Sequence, residues 1–370
     1  MNKSVVFIGI LFSFLIAKNP GDSLVWNAVH NFYNYETETA ISILDSARIS
    51  FPENPKVYFT WVAAKMLHGE ANYSTKKTYT ILSNSLSEII PVLQSLKKQY
   101  PNDPEIKLYL GCAVGLKARV SLGRKQWIST LINAYKGFRM IREVALKNPE
   151  LIDAQLPIGI VEYYASLNPG LIRFGAKLMG INAHRNSGLA KIENAALNGD
   201  FSKIEAKKIH AFLCLWVEDD PESALTPSRE LREEFPQNLF FGIMYLESLI
   251  RTKKYTEAKK LMDLLNVELE LLTSIQQEWY KSYLLYELAV YQFLHGEFSE
   301  ALINIEKAIH NYKAELDIIL GNAILLKGII NDIIGNREIA LRAYEKVIKL
   351  DNNSSAIKKA EKFKNSPFTN

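Results

Sequence analysis

The chain has 370 residues, of which 48% are hydrophobic and 23% charged, so it can bury a continuous core and is not disordered as a whole. Its 44 lysines and arginines nearly balance 40 acidic residues, which gives a net charge of +4. Proteins that bind nucleic acids concentrate basic residues far more strongly, so the composition argues against nucleic acid as a partner.

The N-terminal segment differs from the rest of the sequence. One lysine precedes the uninterrupted apolar run VVFIGILFSFLIA, which ends at Ala17 and is followed by KNPGD. A basic start, a run too short to span a bilayer comfortably and a small residue at its end are typical of a secretory signal peptide. We therefore expect residues 1–17 to direct export to the periplasm or cell envelope. An uncleaved membrane anchor and a buried helix are the alternatives.

Beyond this segment, apolar residues recur at spacings of three and four, whereas signals for strands and hairpins are scarce. The sequence therefore predicts an all-α protein with helices separated by short breaks at Gly, Pro, Asn or Asp. Near the start, AISILDSARISFPENP places Ala40, Leu44 and Ala47 at helical spacing before Pro52.

The middle of the chain, within residues 18–200, predicts longer helices or inserted ones. VYFTWVAAKMLHGE is typical of the first helix of a pair, but the matching second helix, LSEIIPVLQSLKKQYP, lies well downstream. Cys112 and Cys214 fall in apolar helical runs of units that are not expected to touch. Because a disulfide requires Cα atoms within about 7 Å, we predict two buried free thiols.

The stretch LPIGIVEYYASLNPGLIRFGAKLMGINAHR, within the irregular segment 156–188, allows three interpretations. In the first, basic side chains converge on an anionic group beside an aromatic wall; the residues concerned are Tyr163, Tyr164, Arg173, His184 and Arg185. The second interpretation is a specialised interaction surface. In the third, the stretch is scaffold, with a turn and a short extra helix wedged between the two helices of one unit.

Other signs of chemistry are weak. Glu218, Asp219 and Asp220 directly precede Pro221, and this arrangement favours the start of a helix over a catalytic carboxylate pair. The sequence contains no Gly-x-Ser-x-Gly, His-Glu-x-x-His, Walker-type or Gly-x-Gly-x-x-Gly motif. We therefore predict a non-enzymatic protein with no cofactor and no metal.

The last third of the chain, within residues 201–350, repeats itself. Gly328 stands where an earlier copy has Ala289, Gly335 stands for Gly296 and Tyr344 for Ile305. The alanines that open the second helices lie 34, 43 and 39 residues apart; they are Ala224, Ala258, Ala301 and Ala340. Residues 351–370 predict a polar capping helix and tail.

This repeating pattern resembles the tetratricopeptide repeat (TPR), whose unit is a helix pair with small residues where the helices approach. The match is good from about Leu239 to Leu350 and from about Leu24 to Pro52. The resemblance implies a right-handed superhelical solenoid of antiparallel helix pairs, with extended or inserted helices in the middle repeats. It also implies a protein or peptide partner in the concave groove formed by the first helices.

Candidate groove residues are the polar or aromatic positions opposite the packing face: Tyr109, Arg119, Glu162, Tyr163 and Asn331. The favoured function is a protein-interaction scaffold in the cell envelope, and a membrane-associated partner is compatible with it. One alternative is a ligand-binding protein or enzyme that uses residues 156–188. The other is a self-associating structural protein or assembly chaperone.

Overall fold

The computed structural model describes residues 19–124, 126–167, 180–181, 183–350 and 352–369. Within these ranges the chain forms seventeen α-helices and no strand, which confirms the all-α prediction. The predicted signal peptide, residues 1–17, and the candidate Arg173 lie outside the described residues, as does most of the predicted extra helix.

The helices are named here in chain order. The first half contains α1 (Asp22–Tyr33), α2 (Thr37–Ser50), α3 (Pro55–Asn72), α4 (Thr75–Gln99), α5 (Pro104–Gly123), α6 (Trp127–Lys147), α7 (Gln155–Leu167) and α8 (Arg185–Asn198). The second half contains α9 (Lys203–Leu213), α10 (Pro221–Glu234), α11 (Leu239–Arg251), α12 (Tyr255–Leu269), α13 (Ser274–Leu294), α14 (Phe298–His310), α15 (Ile318–Ile333), α16 (Arg337–Ile348) and α17 (Ser355–Asn365). A 3₁₀ turn (Ile152–Ala154) precedes α7, and a π-helical turn (Cys214–Glu218) follows α9.

Consecutive helices pack as eight pairs, α1 with α2 through α15 with α16, and each pair stacks on the next. The helix α17 covers the last pair. The largest apolar cluster of the described residues extends from Val25 in the first pair to Ile330 in the last, and two smaller clusters lie around Phe138 and around Tyr344. This is the architecture of a helical-repeat solenoid, in which each unit buries its apolar face mainly against its neighbours.

Small residues recur at one position of the second helices. The fourth residue of α2, α10, α12, α14 and α16 is in every case a fully buried alanine: Ala40, Ala224, Ala258, Ala301 and Ala340. In the last pair, a Cβ atom on Gly328 of α15 would lie 2.5 Å from the ring of Tyr344 on α16. A small residue of one helix therefore packs against a bulky residue of the other, which lets the two helices approach closely.

The turns within four pairs share one conformation. The second residue after the first helix has a positive φ in each: Tyr35 (67°), Lys253 (61°), Gly296 (79°) and Gly335 (85°). The following backbone N–H donates to a carbonyl five residues earlier, as in Asn336 to Asn331 O at 2.7 Å. These are Schellman caps, and they identify the pairs as structural repeats even where the sequence has lost its glycine.

The middle pairs are built from longer helices, as the sequence predicts. The helix α4 has 25 residues and begins three residues after α3 ends, so the apparent insertion is the first turns of α4 itself. The helices α5 and α6 approach closely through glycines. A Cβ atom on Gly137 would lie 2.7 Å from backbone atoms of Gly111 and Gly115.

A buried ionic cluster ties the first three pairs together. Lys56 on α3 is almost inaccessible, and its Nζ lies 3.0 Å from Asp22 Oδ2 on α1 and 2.9 Å from Glu105 Oε2 on α5. The same ammonium group lies 4.8 Å from the ring centroid of Phe201. Because Phe201 lies two residues before α9, the cluster also connects the first pairs to the fifth.

The solenoid is wound tightly enough for distant pairs to meet. Tyr33 OH donates to Glu205 Oε2 at 2.9 Å, and Tyr35 OH donates to Tyr280 OH at 3.1 Å. Thr273 Oγ1 at the start of α13 donates to the carbonyl of Ala71 at the end of α3. The first two pairs therefore pack against pairs five to seven.

None of the helices in the described ranges is long and apolar enough to cross a membrane.

Candidate interaction surface

The candidates on α7 and α8 lie where these two helices cross closely. A Cβ atom on Gly188 would lie 2.6 Å from the backbone nitrogen of Tyr163 and 2.8 Å from the carbonyl oxygen of Gly159. At this crossing Glu162 accepts from Lys191 Nζ at 2.6 Å and from Ser187 Oγ at 3.2 Å. The negative charge of Glu162 is thus balanced by Lys191 within the helix pair.

Tyr163 and Arg185 meet an anion, and that anion is the protein's own Glu218. Tyr163 OH donates to Glu218 Oε1, and Arg185 Nε donates to the same oxygen at 2.8 Å while its Nη2 donates to Oε2. Burial, followed by the hydrogen bond to Glu218, raises the pKa of the Tyr163 phenol. The hydrogen bond to Glu218 raises the pKa of the Arg185 guanidinium. The anionic group that the first interpretation expected from an external ligand is therefore the side chain of Glu218.

The remaining candidates of this stretch have different surroundings. Tyr164 is partly exposed, and its ring stands edge-on to that of Tyr163 at 5.5 Å between centroids. His184 is exposed and caps α8, with its Nδ1 accepting from Ser187 N at 3.4 Å. The described residues thus bring Tyr163, Tyr164 and Arg185 together, whereas His184 serves the helix end.

Several predicted groove residues are buried, so their side chains do not face solvent in this structure. The exposed fractions are 7% for Tyr109, 6% for Glu162, 0% for Tyr163 and 2% for Asn331. Tyr109 packs against Phe59 with ring centroids 5.5 Å apart, and burial raises the pKa of its phenol well above the usual value. Glu162 and Tyr163 use their polar groups between elements, whereas Asn331 Nδ2 donates to Lys327 O of its own helix at 2.8 Å.

Arg119 is the exposed member of the predicted set, and it lies at the seam where the solenoid closes. Its Nη2 is 3.4 Å from Glu70 Oε1 and 3.7 Å from Glu315 Oε2. Tyr79 OH also donates to Glu315. Burial raises the pKa of Glu70, although the nearby Arg119 opposes this shift. A narrow cleft, open to solvent on one side, lies among these side chains and Trp279.

The three consecutive acidic residues after α9, Glu218 to Asp220, have different roles. Asp220 caps α10, accepting from Ser223 N at 3.2 Å, as the sequence predicts. Glu218 belongs to the Tyr163 cluster described above. Asp219 has a positive φ of 64° and binds Arg251 at 2.5 Å and Lys359 at 2.6 Å, so it joins α11 to the C-terminal helix.

A buried carboxyl pair lies behind Arg251. Glu247 on α11 is 3.5 Å from Arg251 Nη1, and Glu287 on α13 is fully buried beside it. Burial, followed by the charge of Glu247, raises the pKa of Glu287 well above its usual value. Because neither carboxyl group reaches solvent, the pair lacks the access that acid–base chemistry on a substrate requires.

Metal and thiol chemistry finds little support in the described part of the chain. No group of three or more His, Cys, Asp or Glu residues there could hold a metal ion. Cys112 and Cys214 are both free, which confirms the prediction of free thiols, although Cys112 is only partly buried. Burial raises the pKa of each thiol to about 12, so neither carries an activated thiolate.

The outer surface carries exposed apolar side chains that the sequence analysis did not single out. On α12, Leu264 is 48% exposed, Val267 64% and, just past its end, Leu271 81%. These positions follow the i, i+3, i+7 spacing of one helix face. Residues 261–280 contain four acidic residues and no lysine or arginine. We call the three side chains and their acidic surroundings the α12 patch.

Comparisons with known proteins find solved helical-repeat structures at low identity. A tetratricopeptide repeat protein from Parabacteroides merdae is 14% identical, covers 83% of this chain and 98% of its own, and has a TM-score of 0.33. Yeast Tom70 is 12% identical, with 93% and 81% covered and a TM-score of 0.36. The human IFIT1 dimer with PPP-AAAA is 14% identical, with 86% and 69% covered and a TM-score of 0.34.

The sequence matches no protein-family model and no curated protein. TM-scores below 0.5 do not establish a common superhelical shape, so the repeat assignment rests on the helix pairs, buried alanines and shared turns of this chain. By that architecture, the chain is an all-α helical-repeat protein whose helix pairs are similar to tetratricopeptide repeats.

Proposed function

We propose that this protein is a non-enzymatic scaffold that binds another protein, and that its partner docks on the α12 patch. The observation that carries the proposal is the row of Leu264, Val267 and Leu271, which are 48%, 64% and 81% exposed. Contiguous exposed apolar side chains rimmed by polar ones are typical of sites of protein association.

The inner face of the solenoid is the less suitable place for the partner. Where pairs one and two face pairs five to seven, tyrosine hydroxyls, carboxylates and backbone groups already bond to one another, as between Tyr33 and Glu205. A peptide entering there would have to replace these bonds. A partner on α12 displaces only water.

The chemistry of the patch defines the partner. Glu270 is exposed beside the apolar row, as is Asp263, which forms an ion pair with Lys259 at 2.8 Å. A complementary surface would present apolar side chains flanked by lysine or arginine. A helix or an extended segment of another protein supplies both.

The test is crosslinking and pull-down from the native source, with the wild-type chain and two variants. Leu264→Ser/Val267→Ser removes the apolar row, and Ile49→Ser makes the same type of change at an exposed residue of α2. We expect one protein to be captured by the wild type and by Ile49→Ser and lost from the double variant. Capture that is equal for all three would refute the assignment of the patch.

The alternatives predict other results. Ligand binding or catalysis in residues 156–188 predicts that Arg173→Ala or Arg185→Ala abolishes a defined activity while the protein stays helical. A self-associating protein predicts a mass that rises with concentration in light scattering. Because we propose no nucleic acid as a partner, an oligonucleotide should leave the protein's diffusion unchanged in fluorescence correlation measurements.

We also propose export through residues 1–17. The apolar run that ends at Ala17 supports this proposal, since it has the length and ending of a signal peptide. N-terminal sequencing of the protein isolated from its source should begin at Lys18. A chain that keeps the whole run would instead support the membrane-anchor alternative.

A further inference from the structure

The outer face of α6 carries a second exposed apolar row, and its surroundings are basic. The exposed fractions are 76% for Ile128, 61% for Leu131, 46% for Ile132 and 38% for Tyr135. The spacing i, i+3, i+4, i+7 places these four side chains on one face of the first two turns. The opposite face of α6 is buried through Gly137 and Ile141, so the exposed row cannot serve the core.

The charge around this row is of one sign. Residues 117–142 contain seven lysines and arginines and no aspartate or glutamate, in a chain whose net charge is +4. Among the described residues, no carboxylate lies within 4.0 Å of the basic groups of Lys117, Arg124, Lys136, Arg139 or Arg142. This group of side chains therefore keeps its positive charge available to a partner.

The apolar and basic groups are arranged in order along the helix. Arg124 precedes α6, and Arg139 and Arg142 follow Tyr135 on the same face at i+4 and i+7. All three are exposed. An aliphatic patch with arginines at both ends is the pattern of a helix that lies in a membrane interface, where apolar side chains enter the acyl boundary and cations meet the headgroups.

We propose that this face of α6 docks on the surface of a bilayer that contains anionic lipids. Lipid accounts for both features of the site. Acidic headgroups attract the unpaired arginines, and the hydrocarbon boundary removes Ile128, Leu131 and Ile132 from water. Nucleic acid fits less well, because its backbone offers nothing to three aliphatic side chains and the row has a single aromatic residue for base stacking. The proposal is independent of the α12 patch, which lies on another helix.

The test places an environment-sensitive fluorophore on the row. Ile128→Cys is labelled in the full chain, where buried Cys214 and Cys112, whose pKa burial raises to about 12, should not compete. Ile303→Cys on α14 gives a control label at an exposed apolar position away from the row. Vesicles of equal parts phosphatidylglycerol and phosphatidylcholine are compared with phosphatidylcholine alone. The label position separates binding by α6 from any binding by the apolar residues 5–17.

We expect a blue shift of the label at position 128 with anionic vesicles, little with neutral vesicles and none at position 303. Arg139→Glu/Arg142→Glu should weaken this binding at least tenfold, because it replaces two cations at the headgroups with two anions. Leu131→Ser/Ile132→Ser should abolish the shift, with circular dichroism confirming the fold. An unchanged label at position 128 would overturn the proposal. So would an equal shift with an oligonucleotide, or one that rises with protein concentration in the absence of lipid.

Discussion

Replacement of Lys56 by methionine should destabilise the protein more than any comparable change at the surface. The ammonium group is buried between two carboxylates, at 3.0 Å from Asp22 and 2.9 Å from Glu105. Methionine has nearly the length of the lysine side chain but no charge, so it leaves Asp22 as a buried anion. Breaking a buried ion pair in this way costs about 3–5 kcal/mol.

The structure places the expected loss near the lower end of that range. Asp22 keeps hydrogen bonds from Asn54 Nδ2 at 2.8 Å and from Asn19 N at 3.1 Å, and Glu105 keeps one from Asn19 Nδ2 at 2.7 Å. We therefore expect a loss of about 3 kcal/mol in the free energy of unfolding. Asp22→Asn/Lys56→Met should recover part of this loss, since it removes the stranded charge.

The assay is urea unfolding followed by circular dichroism at neutral pH. Lys98→Met on α4 makes the same substitution at an exposed lysine and should cost less than about 0.5 kcal/mol. If Lys56→Met and Lys98→Met unfold at the same urea concentration, the ionic cluster does not hold the first pairs together, and the reasoning fails.

Three further changes test other parts of the structure. Burial and Glu247 raise the pKa of Glu287, so the protonated carboxyl group stabilises the folded state at low pH. This stability is fully present below the pKa of the unfolded state and is lost, by up to about 1.4 kcal/mol per pH unit, as the pH rises through the folded pKa. Glu287→Gln should therefore flatten the pH dependence of thermal unfolding, while Glu300→Gln on the surface of α14 should not. Gly188→Ala should lower the free energy of unfolding by about 1–3 kcal/mol, because its Cβ meets backbone atoms of α7, whereas Gly115→Ala, whose Cβ would meet nothing within 4 Å, should not lower it. Lys253→Gly should raise the melting temperature, because a non-glycine residue at φ 61° costs about 1–2 kcal/mol; an unchanged or lower value would show that the lysine is not strained there.

The sequence predicts the repeats well because their signal is local. An alanine at the fourth position of a second helix is needed wherever two helices approach, so it returns at nearly regular intervals as Ala224, Ala258, Ala301 and Ala340. The turn at Lys253 escaped prediction, since its backbone conformation persists without the glycine that usually marks it. Helix pairing could be read from the chain because its determinants lie within about 40 residues of one another.

The winding of the solenoid could not be predicted, because the residues that set it are far apart in sequence. Tyr33 meets Glu205 and Tyr35 meets Tyr280, at separations of 172 and 245 residues. A tyrosine at a helix end has the same local pattern whether it faces solvent or a distant pair. Tyr109 and Asn331, which the sequence had placed in an open groove, are also buried.

The inability of local patterns to show contacts between distant residues also explains the outcome at Arg185. The sequence grouped Arg185 with Tyr163 around an anion, and the two side chains do meet one. The anion is Glu218, which the sequence assigned to the start of α10 together with Asp220. Local pattern is sufficient to identify the cap at Asp220, but the π-helical turn before it directs Glu218 toward α7 instead.

The near balance of total charge conceals a separation of charge along the fold. Residues 117–142 carry seven basic and no acidic residues, whereas residues 261–280 carry four acidic and no basic residues, and each stretch exposes an apolar row. Since the tightly wound interior uses its own polar groups, we expect binding free energy to be available on these two outer faces. A protein that docks on an anionic bilayer through α6 and holds a basic partner through α12 would concentrate that partner at the membrane surface. The two variants Arg139→Glu/Arg142→Glu and Leu264→Ser/Val267→Ser separate the roles, because each should abolish one attachment and leave the other intact.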